Sequence, residues 1–252
     1  LNGGLVHNAM VEYMLSRCEA EGVALRSVNP LVCECNDSTL NHIAERAVGR
    51  EHVFSALASA CQDFAEGDVG GGKGMICHGL KGGIGSASRV LAFDGRTYTI
   101  GILVQSNHGV LSDLTVSGVN IGAGLARTLE TRAADQGSII AVLATDLPLD
   151  ARQLARVARR VSVGLARLGS HIGHGSGEVF VAFSTANPFD FRTETAVRMT
   201  TAFHEELLDL PFRAAAECTE EAVLNSMLTA HTVTGWQGNT VYALPELWRP
   251  GV

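Results

Sequence analysis

The chain has no run of apolar residues approaching the ~20 that a membrane-crossing helix needs, which excludes a helical bilayer anchor within it. It also lacks an excess of positive charge. Nineteen Lys and Arg stand against 26 Asp and Glu, a formal net charge of -7, and a nucleic-acid binder normally carries a basic face. Metal-type cysteine spacing is missing too. The six cysteines lie at 18, 33, 35, 61, 77 and 218, and the close pair Cys33 and Cys35 has no second pair to complete a zinc site. Free, buried thiols suit a reducing compartment, so a cytoplasmic location is the expectation. The chain opens on Leu1 rather than a start methionine, with no signal-peptide pattern before its first helix, and this reads as a beginning inside a longer protein. No repeat period and no linker divide it. What remains is 252 residues, 46% hydrophobic and 18% charged, the composition of one large globular domain with a substantial core.

The hydrophobic pattern mixes both periods. Residues 5–20 and 50–63 space their apolar groups as helices, the second with Val53, Phe54, Leu57 and Ala60 on one face. Leu31 to Cys35 reads as a short strand. The glycine-dense run 67–88 reads as turns linking short strands, and 98–105 as a strand ending at Ser106, Asn107, His108 and Gly109. Residues 112–136 form the best candidate for an exposed loop. Ser138 then opens SIIAVLAT, the near-continuous apolar run of a strand buried on both faces. Asp150 caps a helix carrying Leu154, Val157, Val161, Leu165 and Leu168, with arginines 152, 156, 159, 160 and 167 on a solvated face. Residues 178–185 make another strand and 213–231 a last long helix. Helices and strands interleaved over one span imply a layered α/β domain.

Several familiar motifs fail on inspection. Gly67-x-x-x-x-Gly72-Lys73 has Gly74 where a phosphate-binding loop needs Ser or Thr for magnesium, so its glycines read as tight turns and close packing. His171-x-x-His174 has no third ligand at a supporting spacing. Cys77-His78, as neighbours on a strand, would point to opposite faces and reads as structural. The serine-hydrolase elbow G-x-S-x-G is absent, its nearest approach being Gly173-His174-Gly175-Ser176-Gly177 with the serine displaced by one. A Ser-His-Asp triad stays open, because triads are set by geometry and nine histidines are available.

Gly137-Ser138 is the unusual feature. A nucleophilic side chain stands at the first position of a buried strand, directly after a polar loop ending in glycine. If the bond before Ser138 were cut, hydroxyl and free α-amine would share one residue. An α-amine titrates near pH 8 and can accept the hydroxyl proton near neutrality. Glycine before the serine removes bulk where the hydroxyl would approach that carbonyl. Serines at strand starts are common, so residues alone leave the point open.

Five segments, in order, carry a resemblance. They are 66–89 (EGDVGGGKGMICHGLKGGIGSASR), 101–109 (GILVQSNHG), 137–146 (GSIIAVLATD), 176–184 (SGEVFVAFS) and 220–228 (EEAVLNSML). Through them the chain resembles the L-aminopeptidase/D-esterase and beta-peptidyl aminopeptidase family, the DmpA-like self-processing peptidases. The resemblance implies a four-layer αββα sandwich, similar to N-terminal-nucleophile hydrolases but differently connected. It implies self-cleavage at Gly137-Ser138 into an alpha chain (1–137) and a beta chain (138–252), with Ser138 as nucleophile. Ser176 would hydrogen-bond the new terminus and Glu178 would orient that network, two apart on a strand and so able to face one side. Asn107 falls on the family's oxyanion-hole residue and Glu34 on the acid that holds a substrate's free amino group. Small peptides, amides or esters would be substrates, without cofactor or metal, in a homotetramer with no nucleic-acid or membrane partner.

Two departures accompany the match. Asn36 stands where the family usually has a tyrosine beside the oxyanion hole. The family also has a further segment before the position of Leu1, with strands of the sheet and part of the substrate pocket. The readings that compete are an amidase or acyltransferase of the same fold acting on a specialised metabolite, and an unprocessed, non-catalytic binding protein.

Overall fold

The computed structural model describes residues 2–129, 135, 137–175, 177–188 and 196–248. Helix α1 (Gly3–Ala20) and helix α2 (Arg50–Ala58) open the chain and meet through an edge-on Tyr13–Phe54 contact, ring centroids 5.5 Å apart. Both stay near the surface, with Ala9 and Val53 their buried residues. The second helix stops short of the expected residue 63. The Ser59 N–H closes the last turn on Ser55 O at 2.9 Å, and Ala60 beyond it is exposed. The strand expected at Leu31–Cys35 is not formed either. Residues 23–37 carry neither helix nor strand and Leu31 is 68% exposed. A short apolar run becomes a strand only where a neighbour offers its ladder, and here only Cys35 of the five turns inward.

The glycine-dense run forms the hairpin of β1 (Ile76–Cys77) and β2 (Leu80–Lys81) and then enters β3 (Gly83–Phe93). That long strand is a correction to the expectation of turns. Asp94 (φ 51°) and Gly95 (φ 73°) link it to β4 (Arg96–Asn107). Two successive left-handed residues make the tight turn whose twist matches a hairpin. A small hairpin, β5 (Thr115–Val116) with β6 (Val119–Asn120), and the short α3 (Gly122–Leu125) precede β7 (Ser138–Thr145). Helices α4 (Ala151–Ala158) and α5 (Val161–Arg167) cross over to β8 (Gly177–Ser184). Helix α6 (Asp209–Leu228), the hairpin of β9 (Val233–Thr234) with β10 (Thr240–Val241), and α7 (Leu244–Leu247) follow.

The main sheet has the order β3-β4-β7-β8, antiparallel except for the parallel pair β7/β8. A parallel pair needs a crossover, which α4 and α5 supply. The Asp150 cap holds as expected: Gln153 N–H donates to Asp150 Oδ1 at 2.7 Å, and the Gln153 side chain accepts the Asp150 N–H at 3.1 Å. The expected single helix is two, broken at Arg159-Arg160, although Val157, Val161, Leu165 and Leu168 all remain buried. The arginine face is partnered rather than merely solvated. Arg152 reaches Glu205 at 3.0 Å, Arg160 lies 3.8 Å over the Phe212 ring, and Arg167 meets Glu220 at 3.2 Å.

The helices cover one face of the sheet, where Ile100, Ile102, Val104, Ile139, Ala141 and Leu143 form the core with Val223 and Met227 of α6. The other face is also apolar but open, with Val90 68%, Leu103 39%, Val179 45% and Phe183 46% exposed. A sheet apolar on both faces is the inner layer of a sandwich. Helix α6 lies unusually close to β3. A Cβ on Gly85 would collide with Ala222 O and stand 2.6 Å from Ser226 N. Small residues on the helix (Ala214, Ala215, Ala216, Ala222) complete the approach, and Asn225 Nδ2 donates to Ser86 O at 2.9 Å. Gly85→Ala is expected to cost about 2–3 kcal/mol in urea unfolding. Gly101→Ala, whose methyl would meet ordinary contacts at 3.8 Å, should stay within about 0.5 kcal/mol. Equal effects would show that helix approach is not what Gly85 serves.

Lys81 is wholly buried and ties the glycine-rich segment together. Its Nζ donates to Gly72 O (2.9 Å), Met75 O (2.8 Å) and Gly82 O (2.7 Å), which uses all three ammonium protons. Burial pushes the ammonium down from 10.5 to about 8, against the attraction of Asp68. Between those two values the unfolded chain holds the proton and the native chain does not, so stability rises with pH across that window. The lowering from 10.5 to about 8 corresponds to about 3 kcal/mol, and the neutral amine then serves only two of the three carbonyls. Lys81→Met, leaving three buried carbonyls unserved, should destabilise by roughly 3 kcal/mol or more at pH 7. The variant should also lose the rise between pH 8 and 10.5 in denaturant titrations; an unchanged rise would assign it to another group.

Candidate active site

The sheet brings three strand ends together. Ser138, first residue of β7, pairs with Asn107, last residue of β4, and with Gly177, first residue of β8. The preceding residue is held on every side. Gly137 O accepts the Gly177 N–H at 3.3 Å, and Gly137 N–H donates to Asp135 Oδ1 at 3.3 Å. Its Cα is pressed against strand β4, so that a Cβ there would overlap Asn107 O and stand 2.7 Å from Asn107 C. Only glycine fits before Ser138. The carbonyl on the serine's N-terminal side is thereby polarised by a backbone donor.

Asn107 is 5% exposed and locked by two hydrogen bonds. Its Oδ1 accepts the Ile76 N–H at 2.8 Å and its Nδ2 donates to Asn36 O at 3.1 Å. It is the last rung of the ladder, two residues beyond the strand end read from sequence. Asn36 thus serves the site through its backbone carbonyl. Its side chain is occupied locally, with Oδ1 accepting the Ser38 N–H at 3.0 Å in a turn.

Cys35, between the two expected substrate residues, is the group that sequence reasoning missed. It is buried, its thiol lies 3.9 Å from Gln105 O, and burial raises its pKa while hydrogen bonds with Ser138 and Gln105 offset part of that rise. The thiol therefore stays protonated beside the Ser138 hydroxyl. An alternation of outward Glu34 and Asn36 around an inward Cys35 was the available signal.

Glu34 is exposed in the irregular segment beside the start of α1, where its carboxylate accepts the Asn2 N–H at 3.1 Å. It lines a cavity of about 540 Å³ with Gly3, Gly4, Ile43, Ala44 and Arg46, a lining that includes neither Ser138 nor Asn107. Glu178 sits on β8 opposite Ile139, one ladder step from Ser138. Ser176 lies outside the described residues.

Behind Asn107 is a second polar group. His78 is in the left-handed region (φ 48°), so β1 ends at Cys77 and the two side chains do not alternate as strand neighbours would. Both are buried, and with His108 their ligand-type atoms lie within 4.8 Å of one another, contrary to the reading of Cys77-His78 as an opposed pair. Burial pushes Cys77 up to about 12 and His108 down to about 3, and lowers His78, so all three are neutral at pH 7. The His171/His174 loop is exposed, with His171 Nδ1 3.6 Å from Asp113 Oδ2. The loop at 67–73 is packing, as expected: a Cβ on Gly67 would stand 2.6 Å from Thr229 O, and Lys73 pairs with Asp68 at 3.1 Å.

Comparison with known proteins converges on one family. The model of peptidase family S58 matches residues 1–241. The beta-peptidyl aminopeptidase BapA of Sphingosinicella microcystinivorans is 42% identical over 232 residues, 86% of this chain and 59% of that protein. The chain thus spans under two thirds of that relative's length. Among solved structures, the PH0078 protein of Pyrococcus horikoshii OT3 superposes with a TM-score of 0.89 at 47% identity, over 96% of this chain and 67% of that one. The L-aminopeptidase D-Ala-esterase/amidase of Ochrobactrum anthropi, described as a prototype for the serine aminopeptidases and a variant of the Ntn hydrolase fold, superposes at 0.86 with 40% identity, over 96% and 68% of the two chains. The fold is accordingly this variant of the N-terminal-nucleophile hydrolase sandwich, and the chain belongs to peptidase family S58.

Proposed function

We propose that the protein is a self-processing serine aminopeptidase whose nucleophile, Ser138, is released by cleavage of its own bond to Gly137. The observation that carries this is the grip on that bond. Its carbonyl is hydrogen-bonded by Gly177 N–H, and its glycine is the one residue that fits against Asn107. In the processing step, Ser138 Oγ attacks the Gly137 carbonyl while the hydroxyl proton passes to the departing nitrogen. The C–N bond breaks and an ester joins Gly137 to Ser138. Water hydrolyses that ester, leaving a carboxylate on Gly137 and a free α-amine on Ser138, with residues 1–137 and 138–252 as separate chains.

The freed amine then takes the hydroxyl proton in each turnover, since it titrates near pH 8. Ser138 attacks the substrate carbonyl, an acyl-enzyme forms, the amine or alcohol leaves, and water completes the cycle. Asn107 Nδ2 donates to the developing alkoxide, giving up its present bond to Asn36 O. Ser176 hydrogen-bonds the new terminus and Glu178, which pairs with Ile139 one step along the ladder, orients that network. Glu34 receives the substrate's ammonium, which accounts for a preference for peptides, amides and esters with an unblocked N-terminus. Processed protomers assemble as a homotetramer.

Intact mass spectrometry of the full-length protein should show two chains divided at Gly137-Ser138, and Ser138→Ala should yield one uncut chain. A cut surviving in Ser138→Ala would assign the attack to another residue. Gly137→Ala should also remain uncut, because its methyl displaces the bond from Gly177 and Asn107. In processed enzyme, Asn107→Ala should lower kcat about 10²–10³-fold with little change in KM. A purely raised KM would place Asn107 in substrate binding instead.

A further inference from the structure

Buried ring nitrogens without hydrogen-bond partners are costly, and this interior holds two of them side by side. His78 and His108 are 0% and 1% exposed, their rings lie 5.4 Å apart, and neither Nε2 has a partner among the described residues. Asp135, 8% exposed, contributes a third orphan: Oδ1 accepts the Gly109 N–H (3.0 Å) and the Gly137 N–H, while Oδ2 accepts nothing among the described residues. The Cys77 thiol completes the group, 3.9 Å from His108 Nδ1. His78 Nδ1 faces Val110 O at 3.0 Å, which fixes the tautomer with the proton on Nδ1 and leaves the Nε2 lone pair directed inward. A backbone carbonyl orienting the far ring nitrogen is the arrangement that surrounds metal-bound histidine.

We propose that Cys77, His78 and His108 form a buried binding site for a zinc-class divalent ion. One sulfur and two imidazole nitrogens within 4.8 Å of one another match the soft-to-borderline donor set such ions favour over oxygen-preferring magnesium or calcium. Two neutral imidazoles bind without losing a proton. The thiol gives up one, so binding forms a metal–sulfur bond and releases one proton to solvent. Asp135, whose charge bears on Cys77 and His78, faces the same group and would balance the ion's remaining positive charge. The ion would join the β1–β2 hairpin to the end of β4, next to Asn107, and through Asp135 to the backbone N–H of Gly137. Its role is therefore to set the geometry of the strand ends, without contact with substrate.

The test uses the whole chain with Cys18, Cys33 and Cys61, which lie nearer the surface, replaced by serine, refolded with zinc or cobalt and freed of loose metal by gel filtration. About one equivalent of zinc per chain is expected by elemental mass spectrometry. The cobalt form should show a thiolate-to-cobalt charge-transfer band. Cys77→Ser should abolish that band and His108→Gln should bring bound zinc to background, while His171→Ala in the exposed loop leaves both intact. Should the two buried-site variants fail to fold, the band and zinc-dependent thermal stabilisation of the parent chain decide the matter. Absence of the band together with under about a tenth of an equivalent of zinc would overturn the site. So would stoichiometry that survives Cys77→Ser and His108→Gln.

Discussion

The contact between the Gly137 backbone and the Asn107 carbonyl governs the rest of the site. It brings strand β7 to the end of β4 at a separation that excludes even a methyl group. Everything nearby is consistent with that closeness: Asp135 receives the Gly137 N–H, Gly177 donates to the Gly137 carbonyl, and Ser138 begins the ladder in register with Asn107. With its own N–H held by Asp135 and its carbonyl by Gly177, Gly137 cannot turn that carbonyl away from the hydroxyl that follows it. Pre-organisation of this kind lowers a barrier by removing the entropy of alignment before any chemistry begins.

Polar groups buried at this end of the sheet supply the rigidity. Lys81 draws three carbonyls of the glycine-rich segment around one ammonium, Ser106 and Ser226 share a 2.6 Å hydrogen bond between β4 and α6, and Asn107 spans from Ile76 to Asn36. Hydrophobic packing alone tolerates sliding, whereas satisfied buried hydrogen bonds have one geometry. The apolar half of the core, around Ile100, Ile102, Ile139 and Leu143, supplies most of the burial energy, and the polar half fixes where the strand ends stop.

Much of this was legible before any coordinates. SIIAVLAT at Ser138–Thr145 and EVFVAFS within Gly177–Ser184 are strands because a continuous β-rich apolar run with flanking breakers has few other fates. Asp150 with Gln153 marked a helix start through its cap. The misses share one cause, dependence on partners distant in sequence. Gly83 and Gly85 look like turn formers, yet they lie in a long strand because Gly67 and helix α6 need the space a side chain would take. Leu31–Cys35 has strand composition and no ladder. Cys77-His78 looks like an alternating pair until the left-handed His78 turns both toward His108, just past the end of β4. Glu34 and Asn36 were found only through resemblance, and Cys35, the residue that faces Ser138, was found by neither route.

The two faces of the sheet divide the work. Ladder register puts Ser138 and Asn107 on the side of Leu103 and Val179, which is the open apolar face, while the helices cover the opposite side. In the proposed mechanism, electrostatic stabilisation of an alkoxide by Asn107 is strong only where water is excluded, because the same dipole acts through a far lower effective dielectric in a closed site. With Leu103, Val179 and Phe183 between 39% and 46% exposed, the geometry of the reacting groups is already set by this chain's own contacts, whereas the dielectric around them is set by what lies on that face. Bond positioning and charge stabilisation are thus separable. The proposed cleavage at Gly137, which depends chiefly on alignment, should tolerate a wetter face than the proposed turnover of external substrates. External substrates must be desolvated as well as aligned.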